Sequence, residues 1–172
     1  MIRAPATAFR AHKPEWAIDP ISGEGAKRHG GRYNPPGTAA LYLGLSFQTA
    51  LLEANQGFEK KLSPTTIVEY DLDCDHIVDL TQASERVRWK IKPAELRCGF
   101  RILAAEGKPV PTWLLAEKLI KAGAAGILVQ SFAPGATSKD INLVLWKWSS
   151  RRPHKIVVHD PDGSLQKIQR VR

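Results

Sequence analysis

The chain has 172 residues, 25 Lys and Arg against 17 Asp and Glu, a formal charge of +8 and a pI near 9.7. That length fits one domain, which buries about 70% of its unfolded surface around a single core. Two cysteines, Cys74 and Cys98, make neither a disulfide framework nor a metal cluster, and no stretch has the apolar length of a secretion signal or a membrane span, so a cytoplasmic protein with no metal is expected.

In chain order, Phe9-Arg10 closes a short apolar start that can form a strand, and Ala11 to Arg28 reads as loop or irregular helix. Arg10 is a candidate anion ligand. Gly30-Gly31 allows positive φ and Pro35-Pro36-Gly37 stiffens the exit, so Arg32, Tyr33 and Asn34 sit on a defined turn, where a fixed arginine suits an anion. His29 beside it could help or simply hydrogen-bond the loop. Ala39 to Leu45 is apolar, short and bounded by turn residues, which predicts a buried strand carrying Tyr42. Ser46 then caps a helix whose apolar stripe is Phe47, Ala50, Leu51 and Ala54. Glu53 lies about 60° from Ala50 on that helix, at the edge of the packed face. From the residues alone, this stretch is an anion-binding pocket with one acid.

Further on, Thr65 to Leu72 and Ile77 to Leu80 are β-branched and predict two strands. Pro93 opens a helix through Leu96, Phe100 and Leu103, closed by Gly107, with Trp89 as packing before it. The clearest helix has Thr112 as cap, Leu115, Leu119 and Ala122 on one face and Gly123 as terminator. Gly126 to Ser131 is a short buried strand ending in a hydroxyl, and Ile141 to Trp148 alternates as another, with Trp146 and Trp148 on one face against the core. Ile156 to His159 and the Asp160-Pro-Asp-Gly turn suggest a terminal hairpin. This order predicts a single α+β domain over residues 1–172, a mostly antiparallel, split sheet flanked by helices.

The run from Gly23 to Glu53, GEGAKRHGGRYNPPGTAALYLGLSFQTALLE, resembles the opening of the RES domain, a family named for its Arg, Glu and Ser. Arg32, Tyr42 and Glu53 stand at that family's arginine, strand tyrosine and helical glutamate; VQSFAP supplies Ser131, and the segment from Asn142 to Leu145 is also like the family's. Tyr33 departs from the pattern, for the common form GGRWN has Trp there. The resemblance covers nearly the whole chain and implies an ADP-ribosyltransferase-like fold, a type II toxin partnered by an antitoxin with a helix-turn-helix domain, and NAD⁺ as a substrate instead of a cofactor. It also implies an early arginine in the pocket, matched by Arg10.

Chemistry agrees with a single acid. Nicotinamide leaves NAD⁺ as a neutral ring, so N-glycosidic cleavage needs chiefly the stabilisation of an oxocarbenium-like ribose, which one carboxylate can supply. In this reading Glu53, Arg32, Tyr42 and Ser131 are catalytic, while Arg10, Arg32, Tyr33, Tyr42 and Asn142 hold the substrate. Glu53 holds the ribose hydroxyl and faces the cationic centre, Arg32 grips phosphate, Tyr42 stacks on or caps nicotinamide and Ser131 orients Glu53 or the carboxamide. ADP-ribose passes to water, to phosphate or to a protein, including a host protein. Positive charge, with much of it in Arg151, Arg152, Lys155, Lys167, Arg170 and Arg172, suits any polyanion, including an acidic antitoxin. Two other readings stay open: a nucleic-acid module stacking bases on Trp146 and Trp148, and a nucleotide sensor without turnover. Direct nucleic-acid binding is the less favoured.

Overall fold

Alternation along the strands sorts the apolar residues onto two faces of one sheet, and each face builds its own core. The computed structural model describes residues 1–17, 19–55 and 64–163; Lys167, Arg170, Arg172 and the return strand of the terminal hairpin lie outside them. The strands are β1 (Thr7–His12), β2 (Leu41–Gly44), β3 (Thr66–Cys74), β4 (Ile77–Asp79), β5 (Gly126–Gln130), β6 (Ile141–Leu145) and β7 (His154–Val158). They form a sheet ordered β4-β5-β6-β2-β1-β3-β7, in which only β4 and β5 run parallel. Leu41, Leu43, Leu143, Leu145, Tyr70 and Ile156 fill the core of one face. On the other, Ile127, Val129 and Val144 meet Leu115, Ala116 and Leu119, from the helix Pro111–Lys121.

Six helices flank this sheet among the described residues: α1 (Glu24–His29), α2 (Phe47–Ala54), α3 (Ala83–Arg88), α4 (Pro93–Leu96), α5 (Phe100–Ala105) and α6 (Pro111–Lys121). None is long and apolar enough to cross a membrane. The predicted α+β class, with its mostly antiparallel and split sheet, is what the chain adopts. The split is at β1–β2, which share one registered pair, Phe9 with Gly44, while β1 and β3 pair continuously from Thr7–Asp71 to His12–Thr66.

Several local expectations change. The single helix predicted from Pro93 breaks into α4 and α5 at Cys98-Gly99, with Gly99 capping the second piece. Val110, not Thr112, is the N-cap of α6; Thr112 is buried inside its first turn. The segment read as loop or irregular helix extends β1 to His12 and then forms α1. Trp146 and Trp148 do not share a face, because β6 ends at Leu145 and the period of two ends with it. The Trp146 indole N–H donates to Tyr33 O at 2.9 Å in one core, and that of Trp148 to Ile21 O at 3.0 Å beside the other. Both rings are packing, which removes the stacking platform of the nucleic-acid reading.

Helix α2 follows β2 after one turn and lies against β1 and β2. Ser46 caps it, its Oγ accepting from Thr49 N at 3.0 Å as predicted. Gly44 makes the close approach possible: an ideal Cβ there would stand 2.6 Å from Ala50 N and 3.1 Å from Ala50 Cα. Backbone cannot rotate away from such a contact. Gly44→Ala is therefore expected to destabilise the domain by ~1–3 kcal/mol, the range for an overpacked site, and to lower the melting temperature by roughly 2–12 °C in a thermal scan; an unchanged melting temperature would show that α2 does not need this approach.

Candidate active site

A cavity of about 360 Å³ opens where β1 and β2 part, walled by Phe9 and Arg10 of β1, Tyr42 of β2, Glu53 of α2 and Asn142 of β6. Strand register explains why these groups meet. Asn142 lies opposite Gly44 on one side and Val129 on the other, so it shares their face. Ser131, two residues beyond Val129, follows the same parity, and its N–H donates to Asp140 O at 2.7 Å. Because Gly44 has no side chain, α2 crosses that face directly above Asn142.

Glu53 is brought onto these two groups. Ser131 Oγ donates to Glu53 Oε1 at 2.5 Å, and Asn142 Nδ2 donates to the same oxygen at 2.5 Å. Ser131 is buried, and its Oγ also accepts from Ala133 N at 3.1 Å, which leaves its proton directed at the carboxylate. One turn earlier on α2, Thr49 Oγ1 donates to Asp140 Oδ1 at 2.8 Å. Asp140 is held in turn by Thr137 N at 2.8 Å and Thr137 Oγ1 at 2.9 Å, and those bonds lower its carboxyl below the usual range. Thus α2 is pinned to the β5–β6 connection at Thr49 and Glu53, residues four apart that lie on one helix face.

The Gly30–Asn34 turn forms the opposite wall. Asn34 is fully buried; its Nδ2 donates to Ala26 O and Thr38 O at 2.8 Å each, and its Oδ1 accepts from Tyr42 Oη at 2.7 Å. Tyr42 Oη also accepts from Tyr33 N at 2.9 Å. The Tyr42 hydroxyl is therefore a strut of the turn, and the residue presents its ring to the cavity. Gly31 is required here, for a Cβ would stand 2.4 Å from Tyr42 Oη and 2.7 Å from Asn34 Oδ1. Trp113 Nε1 of α6 closes the turn by donating to Gly31 O at 2.7 Å.

Both arginines line the cavity, each with one nitrogen on carbonyl oxygens. Arg32 Nη1 donates to Cys98 O at 2.7 Å and Leu96 O at 3.4 Å, while its guanidinium lies 5.1 Å from the Phe100 ring centre and 5.4 Å from that of Phe132. Arg10 Nη1 donates to Pro20 O and Ser22 O at 3.0 Å each, and desolvation lowers its pKa. Tyr33 lines the same cavity from the core side, buried, with its hydroxyl lacking a hydrogen-bond partner among the described residues; Asn142 Oδ1 is in the same state. His29 is exposed and takes no part in the lining.

All the predicted site residues except Ser131 line the cavity, and Ser131 joins them through Glu53. Sequence reasoning missed Thr49, Asp140, Phe100, Phe132 and the structural role of Asn34. Thr49 carried a usable signal, being four residues before Glu53; Asp140 is 91 residues from its partner and carried none.

Residues 7–167 match the family model described as the RES domain. No curated protein matches the chain. Among solved structures, the crystal structure of the M. tuberculosis MbcT–MbcA toxin-antitoxin complex contains a chain with which this one shares 22% identity and a TM-score of 0.63, covering 98% of this chain and 91% of that one. At that identity the likeness shows a shared fold.

Two outcomes follow from the site's tyrosines. Tyr42→Phe leaves Asn34 Oδ1 and Tyr33 N without their partner and is expected to cost ~1–3 kcal/mol in urea unfolding; an unchanged midpoint would mean that the hydroxyl is no strut. The chain's three tyrosines all lie in or beside the core. Desolvation raises Tyr70 to about 12 and pushes Tyr33 and Tyr42 above the titrating range. Since the unfolded phenol ionises near pH ~10, the stabilising contribution is complete below that pH and is lost as pH rises toward 12. Tyrosinate absorbance is expected to appear only together with loss of the fold; tyrosines titrating near pH ~10 in a folded protein, by circular dichroism, would contradict the burial.

Proposed function

The chain belongs to the RES-domain family, and from that premise we propose that it is an NAD⁺-consuming toxin of a toxin-antitoxin pair, cleaving the bond between nicotinamide and ribose. One observation carries the proposal: a carboxylate, Glu53, held by two donors on one oxygen at the wall of a cavity that also presents Arg10 and Arg32. A dinucleotide needs both a cation for its diphosphate and an anion for its ribose.

The chemistry proceeds by charge. As nicotinamide departs as a neutral ring, positive charge builds on the ribose, and a carboxylate already fixed in direction stabilises it without reorganising. Ser131 is a positioning residue in this scheme, since it reaches the substrate only through Glu53, whereas Asn142 both orients Glu53 and lines the cavity itself. Arg32 gives the diphosphate a planar donor fork, kept in orientation by the rings of Phe100 and Phe132. Tyr42 offers nicotinamide its ring. The orphaned Tyr33 Oη and Asn142 Oδ1 are buried polar atoms that a bound ligand can satisfy. Water, inorganic phosphate or a target protein then attacks the same ribose carbon. The partner is an antitoxin, a reading supported by the toxin-antitoxin complex named for the similar structure and by the chain's +8 charge, which favours an acidic partner; a helix-turn-helix domain on that antitoxin and a cytoplasmic setting belong to the same proposal.

Two variants separate the roles. Glu53→Gln keeps size and removes charge, so nicotinamide release is expected to fall about a hundredfold or more while calorimetry still records NAD⁺ binding. Arg32→Lys loses the fork and the stacking, and is expected chiefly to raise KM. A folded Glu53→Gln that turns over NAD⁺ at the parent rate would overturn the assignment.

A further inference from the structure

Five side chains alternate between cation and ring along the mouth of the first cavity. Arg101 lies 5.6 Å from the Phe100 centroid, Arg32 5.1 Å from Phe100 and 5.4 Å from Phe132, and Arg97 5.6 Å from Phe132. Beyond Phe132 the series enters a second cavity of about 300 Å³, which shares Phe132 and Gln130 with the first as common wall. Arg32 lines only the first cavity and Arg97 only the second.

A second guanidinium lines that cavity. Arg86, on α3, is fixed by Nη1 donating to Leu80 O and Thr81 O at 2.7 Å each, and it lines the same cavity. Among the described residues no Asp or Glu lines this cavity, and neither arginine takes part in an ion pair. The neighbouring carboxylates are committed elsewhere: Glu85 accepts from Arg88 and Trp89, Glu95 from Lys92 N, Asp79 from Thr81, and Asp140 from Thr49 and Thr137. Two guanidiniums lining one half-open cavity without a counter-charge repel, and an oxyanion with several acceptor oxygens relieves that repulsion while matching the fork geometry. The remaining wall includes Leu96, Val129, Phe132 and Ile141, which gives an organic group somewhere to pack.

We infer that this second cavity is a binding site for a phosphoryl group, whether free phosphate or a small phosphate monoester, held by Arg97 and Arg86 and separate from the cavity that holds Glu53. The site stands apart from NAD⁺ cleavage and survives if the first cavity cleaves nothing. Phe132 makes the two neighbours, since Arg32 and Arg97 both lie over its ring.

Isothermal titration calorimetry on the full chain, with inorganic phosphate and with phenyl phosphate as probes, tests this. Binding is expected for both, and Arg97→Gln, which alters an exposed side chain, is expected to weaken it about tenfold or more, the scale of one charge-assisted hydrogen bond. Ser138→Asp, which brings a carboxylate to the exposed rim, is expected to weaken it likewise, and Arg32→Lys to leave it unchanged. Tighter binding of phenyl phosphate assigns the site to organic monoesters, and equal binding to free phosphate; both retain the phosphoryl site. No heat from either probe, binding unaffected by Arg97→Gln and Ser138→Asp alike, or binding lost in Arg32→Lys would overturn it.

Discussion

One shared oxygen organises this fold: Glu53 Oε1 accepts from Ser131 and from Asn142, and that pair of bonds decides where α2 lies on the sheet. Hydrogen bonds to an ionised group are stronger than neutral ones, and here they join α2 to the end of β5 and to the next strand, β6, 78 and 89 residues away along the chain. The geometry has preconditions. Gly44 must lack a Cβ so that α2 can descend, β5 and β6 must be in a register that puts Ser131 and Asn142 on one face, and Thr49 must meet Asp140 one helical turn away. A carboxylate presented in this way has little freedom left, which is the state an electrostatic catalyst needs before substrate arrives.

The opposite wall follows a similar logic with neutral groups. Asn34 and Tyr42 exchange one hydrogen bond and between them satisfy four backbone groups of the turn and its flanks, so that Arg32 leaves the turn in a fixed direction. Arg32 is then held between rings and carbonyls. The cavity thus has an anionic side and a cationic side, each with its own buried support. Its position at the β1–β2 opening is a consequence of topology: one registered pair leaves room that a full ladder would close.

Much of this was legible in local pattern. The apolar stripe from Phe47 to Ala54 marked α2 and put Glu53 at its edge; the run from Gly126 marked β5 and left Ser131 at its end; Gly30-Gly31 and the prolines marked the turn. These features repeat over a few residues and need no knowledge of partners. Breaks in regularity were harder. The division of α4 from α5 at Cys98-Gly99 lets the Cys98 carbonyl reach Arg32, a contact across 66 residues, and the divergence of Trp146 from Trp148 depends on β6 ending at Leu145. Period alone cannot show where a strand stops when its apolar residues continue. Tyr42 illustrates a different gap: its place in a strand was evident, yet its hydroxyl serves the turn, because hydrogen-bond partners are chosen by tertiary approach.

In the proposed function, the oriented Glu53 carboxylate makes this cavity cleave NAD⁺. Proton nuclear magnetic resonance of NAD⁺ incubated with the purified chain reads that directly, since bound and free nicotinamide give distinct ring signals. The expected result is free nicotinamide accumulating one for one with NAD⁺ consumed, whatever acceptor takes the ADP-ribose. Intact NAD⁺ in the presence of folded protein that calorimetry shows to bind it would contradict the claim and leave a nucleotide-binding pocket without turnover.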